Sequence, residues 1–69
     1  MMSASETVKK IRFGLFLNQE EFSKAVGVSK NAISYYERGV RNPSIKTIRK
    51  MKELAEKNGI EVKVEDFLD

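Results

Sequence analysis

Apolar residues along this chain fall into short helical stripes separated by small polar punctuation. Val8, Ile11 and Leu15 recur at spacings of three and four, which predicts a first helix with one buried face. Ser5, followed by Glu6, is placed to cap its start, and Gly14 weakens it near its end. Phe22 and Val26, with Ala25 beside them, give a second short helix its inward face. Asn18 suits its N-cap, and Glu20 and Glu21 fall in its first turn, where they compensate the positive end of the helix dipole. Gly27 ends this helix in the left-handed conformation that glycine adopts at little steric cost. Val28 then sits in a turn, Ser29 caps a third helix, and Ala32, Ile33 and Tyr36 face inward until Gly39 stops it. Residues 41–44, RNPS, read as a turn into a fourth helix capped by Ser44. Its stripe is Ile45, Ile48, Met51 and Ala55, with Leu54, and Asn58 and Gly59 close it.

Beyond Gly59 the period changes. Ile60, Val62 and Val64 alternate with Glu61 and Lys63, which is a strand pattern. The same residues read equally well as an extended lead into a final turn over Glu65–Leu68, with Phe67 and Leu68 closing the core. A lone strand needs a neighbour, so a true strand here would pair with a second subunit through Val62 and Val64. The expected fold class is all-α: a bundle of four helices plus a short C-terminal helix or strand segment. It forms one domain over residues 1–69, with 1–4 disordered and 60–69 a C-terminal extension. Phe22, Val26, Ile33, Ile45, Ile48 and Met51 are assigned to the core. Tyr36, by its inward spacing, is assigned there too in preference to a ligand contact.

Composition narrows the chemistry. The chain has no cysteine and no histidine, so it has no disulfide, none of the usual zinc-ligand sets and no Ser-His or Cys-His pair for nucleophilic catalysis. An enzyme is not expected, nor a cofactor or metal. There is no signal-peptide stretch or membrane span, which with the missing cysteines points to the cytoplasm. The net charge of +3 says less than its distribution. Residues 22–52 hold Lys24, Lys30, Arg38, Arg41, Lys46, Arg49, Lys50 and Lys52 against a single acid, Glu37. Residues 53–69 hold six acids against Lys57 and Lys63. A basic stripe of this kind is the electrostatic footprint of a nucleic-acid partner, although a solvated helix face has the same composition.

The stretch from Gln19 to Arg38, QEEFSKAVGVSKNAISYYER, carries the most information. Two short helices joined at Gly27, the second with small polar side chains aimed outward, form the layout that places one helix in the DNA major groove. Counted from Gln19, apolar residues stand at Phe22, Val26, Val28, Ile33 and Tyr36, with Gly27 at the turn and ERGVRNPS following. Ser23 is small where the third helix must cross closely, and its hydroxyl then needs a backbone acceptor. Over roughly Val8 to Leu68 the chain resembles the Cro/CI (XRE-type) family of phage and bacterial helix-turn-helix transcriptional regulators. That resemblance implies a lambda-repressor-like DNA-binding bundle.

It also implies residue roles. Lys30 and Asn31, near the start of the recognition helix, would address base edges: Lys can donate to guanine O6 and N7, and Asn can pair with adenine N6 and N7. Ser34 and Tyr35 follow as further base contacts, with sugar stacking or phosphate contact as the alternative for Tyr35. Gln19 and Ser29, with Arg38, Arg41, Asn42 and Ser44 after the recognition helix, would contact the DNA backbone. Arg12 and Glu37 resemble the family's internal ion pair. Lys46, Arg49, Lys50 and Lys52 are read as a solvated face that raises non-specific affinity.

The implied partner is double-stranded DNA, bound by a homodimer whose two recognition helices lie about 34 Å apart, one turn of the duplex. The implied function is sequence-specific regulation, as a repressor, in a bacterial cell. Control by concentration or by a separate regulatory protein is favoured over direct effector sensing. Phe16 stands where the family often has glycine, and Phe13 and Leu15 are more apolar than usual. These three residues either pack under the tail or form a patch for a protein partner. An antitoxin-type or adaptor protein built on the Phe13–Leu17 surface and the tail is therefore the alternative, and a restriction–modification controller another.

Overall fold

The computed structural model describes residues 3–68. It comprises α1 (Ala4–Gly14), α2 (Gln19–Val26), α3 (Lys30–Arg38), α4 (Ile45–Lys57) and a 3-10 turn over Val64–Phe67. The architecture is all-α, and among the described residues no helix is long and apolar enough to cross a membrane.

Each α-helix begins where a side chain satisfies one of its orphan N–H groups. Asn18 Oδ1 accepts from the Glu21 N–H at 2.7 Å, and Glu21 Oε1 accepts in return from the Asn18 N–H at 2.9 Å. Ser29 Oγ accepts from Ala32 at 3.0 Å, and Ser44 Oγ from Thr47 at 3.2 Å. These three caps sit at the residues the sequence marks. The first does not. Ser3, rather than Ser5, caps α1 by accepting from the Glu6 N–H at 3.2 Å. The physical reason lies one turn on. Thr7 is fully buried, and its hydroxyl lies between the Ser3 and Asp66 carbonyls, so the start of α1 is held against the terminal 3-10 turn. The stretch expected to be disordered over 1–4 is therefore structured from Ser3, with Ala4 only 2% exposed, while Met1 and Met2 lie outside the described residues.

The core gathers Val8 and Ile11 from α1, Phe22 and Val26 from α2, Ile33 from α3, and Ile48, Met51 and Ala55 from α4, completed by Val62 and Phe67. Tyr36 packs half-buried against it. Three assignments are corrected. Leu68 is 52% exposed, so Phe67 alone of that pair closes the core. Ile45 is 53% exposed: it opens α4, one turn before the stripe that reaches the core. Ala25 is likewise exposed, because eight residues of α2 need only Phe22, Ser23 and Val26 to cover the neighbouring helices.

The tail forms no strand among the described residues. Residues 60–63 run as an extended segment into the 3-10 turn, which packs on α1 and α4. Val62 is 3% exposed within the chain's own core, so its apolar character closes this subunit and it is not a surface residue awaiting a partner strand. The tail passes over Gly14, where an added Cβ would come within 2.7 Å of Ile60 Cδ1. Leu15 and Leu17 pack partly buried against the core, but Phe13 is 60% and Phe16 93% exposed. Phe16 also has φ 59°, the left-handed region, which fits the turn between α1 and α2 and explains why glycine suits the position.

Candidate nucleic-acid interface

The pairing of α2 with α3 depends on two small residues. Gly27, at φ 84°, turns the chain sharply out of α2. Ser23 is 4% exposed, and its Oγ donates to the Glu20 carbonyl at 2.7 Å, so its buried hydroxyl is satisfied within α2. Ile33 and Glu37 point α3 inward, being 0% and 7% exposed. The helical period then leaves Lys30 and Asn31 exposed at its N-terminal end, Ser34 and Tyr35 half-buried a turn later, and Arg38 exposed at its end.

Glu37 is held by three donors. Arg12 Nε lies 2.6 Å from Glu37 Oε2 and Arg12 Nη2 lies 3.0 Å from Oε1, a bidentate pair with side chains 13% and 6% exposed. Arg12 Nη1 also donates to the Leu17 carbonyl at 3.1 Å, and Gln19 Nε2 donates to Glu37 Oε1 at 3.2 Å. One carboxylate thus ties α1, the start of α2 and α3 together. The hydrogen bond to Glu37 raises the Arg12 pKa above its already high ordinary value, against the opposing effect of burial and with help from the Glu37 charge. A raised folded-state pKa stabilises the fold fully below the unfolded value and loses its effect only above the folded one. For Arg12 that window lies far above neutrality.

The remaining sequence-identified residues divide by what already occupies them. The Gln19 side-chain nitrogen is on Glu37, while its backbone N–H stands in the first turn of α2, where N–H groups lack a helical carbonyl. The Ser29 and Ser44 hydroxyls serve as helix caps. Asn42 is exposed in the loop after α3. Arg38 and Arg41 are exposed and lie over the Tyr35 ring, with Cζ atoms 5.2 and 5.5 Å from its centroid.

Two cations have a position that the sequence reading missed. Lys46 and Lys50 line an open cleft of about 280 Å³ with Thr47, against Val26, Gly27 and Val28 of the helix-turn-helix bend. Their i,i+4 spacing already put both on one face of α4; only the docking of α4 against α2 brings that face beside the turn.

Two short helices at a glycine turn, the second with an exposed polar edge flanked by Lys and Arg, define a helix-turn-helix DNA-binding domain. A helix-turn-helix family model matches residues 17–61, well over half of the chain. The chain belongs to this family, in its Cro/CI (XRE) type, with the lambda-repressor-like fold; these are DNA-binding transcriptional regulators and not enzymes. Among curated proteins it is similar to the cryptic phage CTXphi transcriptional repressor RstR of Vibrio cholerae. The identity is 36% over 47 residues, which are 68% of this chain and 42% of that protein. The chain therefore spans less than half the length of this relative. No solved structure matches it.

Proposed function

We propose that this chain is a repressor that binds operator DNA in the bacterial cytoplasm as a homodimer, each subunit placing α3 in the major groove. The carrying observation is the exposed Lys30-Asn31 pair at the start of a recognition helix that is fixed from behind by Glu37. Lys30 and Asn31 read base edges, with Ser34 and Tyr35 a turn further along the same helix. The N-terminus of α2 at Gln19, with Ser29, Arg38, Arg41, Asn42 and Ser44, contacts the DNA backbone. Repression is steric: an occupied operator blocks polymerase. The similarity to a phage repressor supports this direction of control.

The test is selection of duplexes from a random pool, followed by binding and footprinting on the selected sequence. A palindromic consensus, lost in Lys30→Ala with Asn31→Ala, and reporter silencing downstream of it support the reading. Absence of any enriched sequence overturns it.

One observation favours a second reading, in which another protein is the main partner. Phe13 and Phe16 stand exposed at the α1–α2 junction, Phe16 in a backbone conformation that aromatic residues rarely adopt. In that case the Lys30 and Asn31 substitutions leave biological function intact, while Phe16→Ser abolishes it.

A further inference from the structure

Tyr35 is bound up with the segment that follows α3 through both its backbone and its ring. Its carbonyl faces the N–H groups of Gly39, Val40 and Arg41, the last two at 3.0 and 3.4 Å, so the chain leaving the recognition helix folds back onto this residue. Gly39, at φ 74°, makes that return possible. Its ring then receives both guanidinium groups of the segment, Arg38 at 5.2 Å and Arg41 at 5.5 Å from the centroid. Arg38 is further steadied by its Nε, which donates to the Ser34 carbonyl at 3.4 Å.

Both arginines are exposed, and among the described residues neither forms an ion pair with a carboxylate. Two cations held beside one ring without an internal anion repel each other, and an external anion relieves that repulsion. A planar guanidinium already seated on an aromatic face also has less rotamer freedom to lose when it meets a phosphate.

We propose that Tyr35 is a positioning residue: its ring presets Arg38 and Arg41 as a paired clamp for the phosphates beside the bases that α3 addresses. Tyr35 then governs affinity for duplex DNA of any sequence and leaves sequence choice to Lys30 and Asn31. This rests on the DNA-reading orientation of α3 given above and assigns Tyr35 a role other than base contact.

The experiment compares wild type, Tyr35→Phe, Tyr35→Leu, Arg38→Gln with Arg41→Gln, and the triple variant carrying Tyr35→Leu. The probes are a duplex selected by the wild type and a random-sequence duplex of equal length, titrated with salt. Thermal melting of each variant confirms that all are folded. Tyr35→Phe keeps the ring and is expected to bind within about twofold of wild type. Tyr35→Leu is expected to weaken binding about five- to tenfold on both duplexes, leaving their ratio unchanged. In the background lacking both arginines, Tyr35→Leu is expected to have no further effect. A changed ratio between the duplexes would make Tyr35 a base reader, and an additive effect in the triple variant would disconnect it from the arginines. Either result overturns the proposal. Failure of the wild type to select any sequence strikes the repressor reading instead, and the comparison on random duplex still decides the role of Tyr35.

Discussion

Glu37→Gln is the most revealing single perturbation, because it changes one charge and almost no shape. The variant keeps a carbonyl oxygen where Oε1 or Oε2 stood but brings an NH2 group against the donors of Arg12 and Gln19, which now approach at 2.6 to 3.2 Å. The Arg12 guanidinium, 13% exposed, loses its counter-charge and keeps the Leu17 carbonyl, the one remaining side-chain oxygen at position 37 and the Phe13 ring, whose centroid lies 4.5 Å from its Cζ. Removing one partner of a buried pair costs about 3–5 kcal/mol; the Leu17 bond and the residual exposure argue for the lower end, about 3 kcal/mol. A domain of this size has about 3–10 kcal/mol in total, so the loss is a large share of its stability. The melting temperature is expected to fall by about 12–24 °C. Thermal and urea unfolding followed by circular dichroism measure it. The complementary variant, Arg12→Met with Glu37→Leu, removes both charges and is expected to lie within about 2 kcal/mol of wild type, since apolar replacements of a buried pair are close to neutral. A fall of less than about 4 °C for Glu37→Gln, under about 1 kcal/mol, would show that the pair does not lock the helices. A double variant as unstable as the single one would show that the cost lies in lost contacts and not in a stranded charge.

Three other outcomes follow from the packing. Val62→Lys is expected to destabilise each subunit by about 3 kcal/mol or more, independently of protein concentration in urea titrations, because an amine enters a core position that is 3% exposed. A stable, folded monomer would contradict that. Phe16→Gly is expected to raise the melting temperature by about 4–8 °C, since it relieves a φ of 59° and removes a side chain that packs on almost nothing; a lower value would reveal packing by the ring. Thr7→Val leaves the Asp66 carbonyl without its donor and is expected to cost about 1–2 kcal/mol by chemical denaturation, an effect that an unchanged midpoint would rule out.

Much of the fold was legible because its signals are local. Asn18, Ser29 and Ser44 cap helices through bonds that span only three residues, and Gly27 and Gly39 end them at positive φ, so short stretches of chain determine these features. What was misread depends on contacts between distant segments. The cap of α1 moves from Ser5 to Ser3 because Thr7 bonds to Asp66, fifty-nine residues away. The alternation of Ile60, Val62 and Val64 leaves a strand and an extended lead into a final turn equally open; the structure has the second, with Val62 in the core and Val64 opening the 3-10 turn, since one-sided burial of an extended segment needs no partner strand. The candidate site shows the same division. The exposed edge of α3 followed from helical spacing, whereas Lys46 and Lys50 acquire their place beside the turn only through helix docking. The family resemblance supplied Arg12 and Glu37, which no local pattern would have paired across twenty-five residues.

The division of labour around α3 bears on how such a protein changes over generations. Ile33 and Glu37 carry the structural obligations of the helix, and Lys30 and Asn31 carry none of the side-chain contacts that hold the bundle together. Substitutions at the two exposed positions fall in the class that alters stability by only about 0.5 kcal/mol either way. Under the proposed base-reading role of Lys30 and Asn31, a lineage samples new DNA preferences there without risking its fold, while change at Arg12, Gln19 or Glu37 is checked at once by lost stability. On the proposed reading, related members of the family diverge first in which sequence they recognise and last in the frame that presents α3, and two coexisting members become mutually blind through one or two substitutions.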